Sequence, residues 1–284
     1  MDVGVGLPTT VPGTDGGELL EFARRADRLG FSTLAVIDRL VYDNYDSLTA
    51  LAAAAGVTER ITLATTILIA AYQPSPALLA KQLASIDRLS GGRLVVGVAA
   101  GGRPDDFQAT GVDYSRRGRI LDDLLDEVKR VWAGEHELGI GPKPTAGQVP
   151  LWVGGHSRAA LRRAARHGTG WIAPGGSVSA FPDLVAGARA LWAEEGRTDA
   201  LRIVALTYVA LGADRKEKGG KYLVDYYSHI GEKAKYLAAG VIANEGRLRE
   251  TIDGYAEVGC DELLLFPCTT DPDHLDLIAK VALP

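Results

Sequence analysis

Short apolar runs alternate with amphipathic stretches along the whole chain, and this alternation restricts the folds open to it. The runs fall at residues 3–7, 33–37, 61–69, 94–98, 151–153, 170–173, 202–211 and 262–266. Each has the length of a strand, and several are rich in β-branched residues. Between them, spacings of three and four residues predict helices. The first covers about 18–29, with Leu19, Phe22, Ala23 and Ala26 on its apolar stripe and Gly30 as its stop. Others follow at 47–55, after Ser75-Pro76, around Leu121 and Val128, after Ser157, and at about 181–195, 247–258 and 273–281.

Strand–helix alternation gives right-handed βαβ units and a parallel sheet. Eight such units predict a (β/α)8 TIM barrel, with a doubly wound open sheet as the alternative. A barrel of this kind takes roughly 250 residues, so 1–284 reads as one domain. Insertions are expected near 99–116, read as a long loop, near 134–149, and near 214–246, read as helical around 222–236.

The net charge of −5, without a long basic run, argues against nucleic acid as a partner. Cys260 and Cys268 are too few for a disulfide framework. The N-terminus lacks the basic region of a secretory leader. Apolar runs such as 67–71 are far below the roughly 18 residues of a membrane helix. A soluble cytoplasmic protein is expected, with no membrane partner.

One turn carries a chemical signal. Val153 is followed by Gly154 and Gly155, then His156, and Ser157 opens a helix. Glycines admit a positive φ and close approach of a ligand. The free amides of a first helical turn, with the helix dipole behind them, form an anion site. The turn therefore reads as a phosphate seat, or else as a plain capped strand-to-helix turn. No His, Cys or Asp cluster has metal-ligand spacing, and there is no serine nucleophile elbow. Both absences suit chemistry carried by a bound redox cofactor.

Several motifs then point to a family. They are Ala26-Asp27-Arg28-Leu29-Gly30-Phe31, Ile61-Thr62-Leu63-Ala64-Thr65-Thr66 with the downstream Pro74, and Asp87-Arg88-Leu89-Ser90-Gly91-Gly92-Arg93 into Val96-Gly97-Val98. Gly111-Val112-Asp113 follows, with Arg117-Gly118-Arg119 after it. Val149-Pro150-Leu151-Trp152-Val153-Gly154-Gly155-His156-Ser157 then leads to Arg166-His167-Gly168-Thr169-Gly170-Trp171. In this order and spacing the chain resembles the bacterial luciferase-like monooxygenase superfamily, in its flavin- and F420-dependent oxidoreductase branch. The resemblance implies a barrel with a flavin or deazaflavin at the C-terminal ends of its strands. It implies that Gly154, Gly155, His156 and Ser157 bind the cofactor phosphate. Thr66, Ile67 and Gly97 would also contact the cofactor, with a cis peptide bond at Thr66-Ile67.

Two positions depart from the family pattern. Many deazaflavin-dependent members carry Asp-His after the second strand, where this chain has Asp38-Arg39. Arginine stays protonated and is no base. Luciferase-type members place a basic residue where Ala100 stands here.

Asp38, Arg39 and Asp106 are the candidate catalytic residues. Asp38 is placed to accept a hydrogen bond from the cofactor or to cap the next loop. Arg39 would stabilise a developing anion or pair with Asp38. Asp106 lies where relatives carry an acid, or is a solvated loop carboxylate. His156 is read as a polar lid over the cofactor and His167 as a structural residue at a helix C-terminus. Tyr226, Tyr227 and His229 are read as substrate-pocket or packing residues. Cys268 is read as mostly unreactive.

The first functional reading is an oxidoreductase that uses coenzyme F420 for hydride transfer to or from a small organic substrate. The Ala- and Arg-rich, Lys-poor composition leans this way, because it is common where F420 is common. The alternatives are a reduced-FMN-dependent monooxygenase served by a separate cofactor reductase, and a catalytically idle flavin-binding homologue. A sugar-phosphate lyase or isomerase lacks a Schiff-base lysine, since Lys81 and Lys129 fall on predicted helices. At least a homodimer is expected, with Leu51, Ala52, Ala55 and Leu79 as packing residues.

Overall fold

The computed structural model describes residues 1–73, 75–173 and 178–284. Eight parallel strands close into a barrel in chain order: β1 Asp2–Gly6, β2 Thr33–Val36, β3 Thr62–Leu68, β4 Leu94–Val98, β5 Leu151–Gly154, β6 Gly170–Ile172, β7 Arg202–Val209 and β8 Glu262–Pro267. Closure is set by the register of β1 on β8, where Val3 stands opposite Leu263 and Val5 opposite Leu265. The predicted TIM barrel is the observed fold, and the open-sheet alternative falls.

Side chains alternate along each strand. On β8, Leu263 and Leu265 join the core between strands and helices, while Leu264 and Phe266 fill the barrel interior. Phe266 occupies the space left by Gly6, where a Cβ would sit 2.2 Å from the ring.

The surrounding helices are α1 Gly16–Leu29, α2 Ser47–Ala55, α3 Pro76–Leu89, α4 Pro104–Thr110, α5 Arg117–Ala133, α6 Arg158–His167, α7 Phe181–Glu194, α8 Ala213–Tyr226, α9 Lys233–Ala239, α10 Glu245–Glu257 and α11 Asp273–Ala282. Caps fix several starts: the side chains of Asp15, Asp46, Ser75 and Ser157 each accept a first-turn amide. Among the described residues no helix is long and apolar enough to cross a membrane.

Two of the motifs quoted above hold the strand entries. The Asp27 carboxylate accepts the amides of Glu59, Arg60 and Ile61 at the mouth of β3. Arg93 donates to the carbonyls of Ser90, Thr58 and Ile61.

Three expectations need correction. The loop 99–116 contains α4, whose Phe107 is buried. The segment 222–236 is helical as expected but broken: α8 ends at Tyr226, and Gly231, with φ of 59°, precedes α9. Of the residues expected to pack a second copy, Leu51, Ala55 and Leu79 are buried in the chain's own core, and Ala52 is half-buried against it. Pro74 and residues 174–177 lie outside those described.

Candidate active site

The C-terminal ends of the strands open into a cavity of about 1300 Å³. Barrel enzymes place their sites at this face because the strand-to-helix loops there vary freely on a rigid frame. The floor is formed by the ends of β2, β3 and β5: Ile37 and Asp38, Thr66 and Ile67, and Gly154. The Thr66-Ile67 peptide bond is cis.

The turn after β5 is built for close approach. Gly155 has φ of 116°, and a Cβ there would stand 2.9 Å from Cβ of Ala160. The indole of Trp171 donates to the Gly155 carbonyl at 2.7 Å and fixes the turn. Ser157 Oγ accepts the Ala160 amide, so the amides of Arg158 and Ala159 keep no intrahelical partner. The first residues of α5, Arg117 and Gly118, line the same cavity. Two helix N-termini therefore converge on it.

The lining is rich in cations. Arg163 is committed, forming a bidentate pair with Asp122 at 2.6 and 3.0 Å. Arg103, Arg117 and Arg247 have no carboxylate partner among the described residues. Arg117 donates to the carbonyls of Gly101 and Tyr114 and lies 3.9 Å over the Tyr114 ring. Arg103 donates to the Tyr226 carbonyl at 2.9 Å and lies over the rings of Tyr226 and Tyr227, at 4.5 and 5.5 Å.

Asp38 is the acid of the cavity. Its carboxylate accepts Tyr72 Oη at 2.6 Å, the Ile69 amide at 3.0 Å and Ser47 Oγ at 3.0 Å. Burial pushes this carboxyl up, and the three donors pull against it. The same cavity takes Tyr208 from β7, Tyr226 from the last turn of α8 and Tyr227 just after it.

A family model described as luciferase-like monooxygenase matches residues 1–270. The chain belongs to the luciferase-like monooxygenase family. An uncharacterized protein of Mycobacterium tuberculosis is 28% identical over 243 residues, covering 73% of this chain and 83% of the relative. An FMNH(2)-dependent dimethylsulfone monooxygenase of Pseudomonas putida is 28% identical over 246 residues, covering 80% of this chain and 66% of the relative. Among solved structures, the monooxygenase RslO1 from Streptomyces bottropensis superposes with a TM-score of 0.78 at 22% identity, covering 100% of this chain and 99% of its own. An F420-dependent secondary alcohol dehydrogenase superposes with a TM-score of 0.83 at 16% identity, covering 99% and 97%. These two likenesses establish the shared barrel.

Within this luciferase-like frame the cavity gathers Asp38, Thr66, Ile67, Gly154, Gly155, His156 and Ser157. Gly97 is not in its lining. A Cβ on Gly97 would meet the Thr65 carbonyl at 2.2 Å and Ile172 Cδ1 at 2.6 Å, so this glycine serves packing inside the barrel. Arg39 and Asp106 are also absent from the lining. Arg39 is buried and ion-paired to Asp105, with Asp106 3.6 Å away. Asp106 accepts the amides of Leu40 and Val41 at 3.2 and 2.7 Å, so the pair fixes the loop after β2.

His229 stands behind Tyr227, with ring centroids 6.1 Å apart, and does not line the cavity. His167 is buried, as expected of a structural residue. Arg103 and Tyr208 were not singled out from the sequence. Tyr208 reads there as one more residue of a strand, and Arg103 as a loop charge.

Proposed function

We propose that the chain is an F420-dependent oxidoreductase that transfers a hydride between the deazaflavin and a small organic substrate. The observation that carries this is the set of cavity arginines that have no carboxylate partner among the described residues. FMN ends in a single phosphate, for which the 154–157 turn is already a seat. Coenzyme F420 continues beyond its phosphodiester into a tail of several carboxylates, and Arg117 and Arg247 offer guanidiniums to such a tail. The Gly155 cradle and the cationic lining both fit an anionic cofactor of this kind.

When bound, the deazaflavin supplies the hydride chemistry. In this reading Asp38 holds the wall beside the ring, tying the end of β3 to α2 and Tyr72. Arg39 and Asp106 act as positioning residues for the 39–41 loop. Gly154 to Ser157 seat the phosphate, and Thr66 and Ile67 pack against the ring.

The second reading is a reduced-FMN monooxygenase with a separate reductase as partner. It is favoured by the relative that is an FMNH(2)-dependent dimethylsulfone monooxygenase. The test is titration of apo-protein with F420 and with FMN, followed by assays with each reduced cofactor with and without oxygen. F420 is expected to bind about tenfold tighter than FMN or better, and Arg117→Met with Arg247→Met to close that gap. Oxygen-dependent turnover with reduced FMN alone overturns the F420 reading.

A further inference from the structure

The phenols of Tyr208 and Tyr227 meet at 2.7 Å between their oxygens. Two hydroxyls carry two protons, and their mutual hydrogen bond uses one. Neither oxygen has another partner among the described residues, and both residues line the cavity. One O–H is therefore left to donate into the space where a substrate would sit.

The order within the pair follows from position. Tyr208 is buried on β7, and Tyr227 is the more exposed, at the end of α8. Tyr208 donating to Tyr227 leaves the free proton on the accessible phenol. Burial pushes the Tyr227 phenol up, while the Tyr208 hydroxyl and Arg103 pull it down. Arg103 over the Tyr226 and Tyr227 rings places a fixed positive charge behind them. The adjoining wall is apolar, with Ile37, Leu206 and Leu237.

We propose that Tyr227 is the catalytic hydrogen-bond and proton donor to the oxygen of an apolar carbonyl substrate, with Tyr208 as its positioning partner. This rests on the oxidoreductase reading. As the carbonyl carbon gains a hydride from the reduced cofactor, the C=O π pair moves onto oxygen. That oxygen takes the Tyr227 proton. The phenolate left behind accepts from Tyr208, faces Arg103, and regains a proton from water at the mouth. Arg39, turned inward and paired with Asp105, takes no part in it.

The test uses p-nitrophenol, whose phenolate mimics an oxygen that has gained charge and absorbs separately from the phenol. It is titrated into the apo-protein and into protein saturated with F420. Tyr227→Phe is expected to weaken phenolate binding about tenfold or more, and Tyr208→Phe to weaken it less. In the wild type, the pKa of bound p-nitrophenol is expected to fall below its value in water, a readout that needs no variant. Unchanged affinity in Tyr227→Phe, a larger loss in Tyr208→Phe, or a bound pKa that does not fall overturns the proposal. Failure of F420 to bind while the phenolate result holds would instead overturn the cofactor reading and leave the donor pair standing.

Discussion

Arg39 Nε lies 3.6 Å from Asp106 Oδ1, in a pair closed off from the cavity, with side chains 7% and 1% exposed. The positive charge that follows Asp38 is thus used inside the protein. Asp106→Ala would leave that guanidinium with Asp105 as its one carboxylate and orphan the Leu40 and Val41 amides. Breaking a buried pair in this way costs about 3 kcal/mol. Asp106→Asn keeps an acceptor for the two amides, and its loss is expected to be smaller. Urea denaturation of the two variants checks this, and equal losses would mean that the amides carry none of the effect.

At the other side of the cavity, Ser157 caps α6 and faces the expected phosphate. Ser157→Asp keeps a capping acceptor but sets a negative charge against an anion. Cofactor affinity is expected to fall about tenfold or more, while the melting temperature stays close to wild type. Ser157→Ala should do the reverse, costing about 1 kcal/mol of stability with little loss of affinity. Fluorescence titration and thermal melts separate the two. Full affinity in Ser157→Asp would move the phosphate elsewhere.

The barrel was legible because each of its signals is local. Runs such as 94–98 and the capped helix 47–55 match their observed bounds. The turn at 154–157 was legible for the same reason, since glycines and an N-cap stand side by side in the sequence. α4 was missed although Pro104 and Gly111 mark its ends, because Phe107 is its only large buried apolar side chain. The break between α8 and α9 carried one local sign, Gly231. The roles of Arg39, Arg103 and Tyr208 depend on contacts across 66, 123 and 19 residues, which no periodicity encodes. Their partners are set by which loops the barrel brings together at one face.

The two thiols behave alike for a single reason. Burial pushes both Cys260 and Cys268 up to about 12. The thiolate is the reactive form, and it is scarce at pH 8 in either case. Native protein is expected to stay unlabelled by Ellman's reagent for hours, and to release two equivalents after denaturation. One equivalent reacting promptly in the native state would place a cysteine in an open, cation-rich setting that the fold does not provide.

The buried histidines give the protein an acid limit. Burial drives His167 and His274 down to about 4 from an ordinary 6.5. His274 is fully buried, and its Nε2 accepts the Leu211 amide at 2.8 Å, which only a neutral ring can do. Both rings are therefore neutral in the fold, whereas the unfolded chain protonates them near 6.5. The unfolded state binds the extra protons first as pH falls. Stability from this source is thus full above pH 6.5, declines between 6.5 and 4, and is gone below that. The fall amounts to roughly 3 kcal/mol for each ring at most. His274→Gln offers an amide oxygen to Leu211 and does not titrate. Urea midpoints at pH 7.5, 5.5 and 4.5 are expected to decline more steeply for wild type than for His274→Gln. Parallel declines would show that His274 takes up no proton on unfolding in this range.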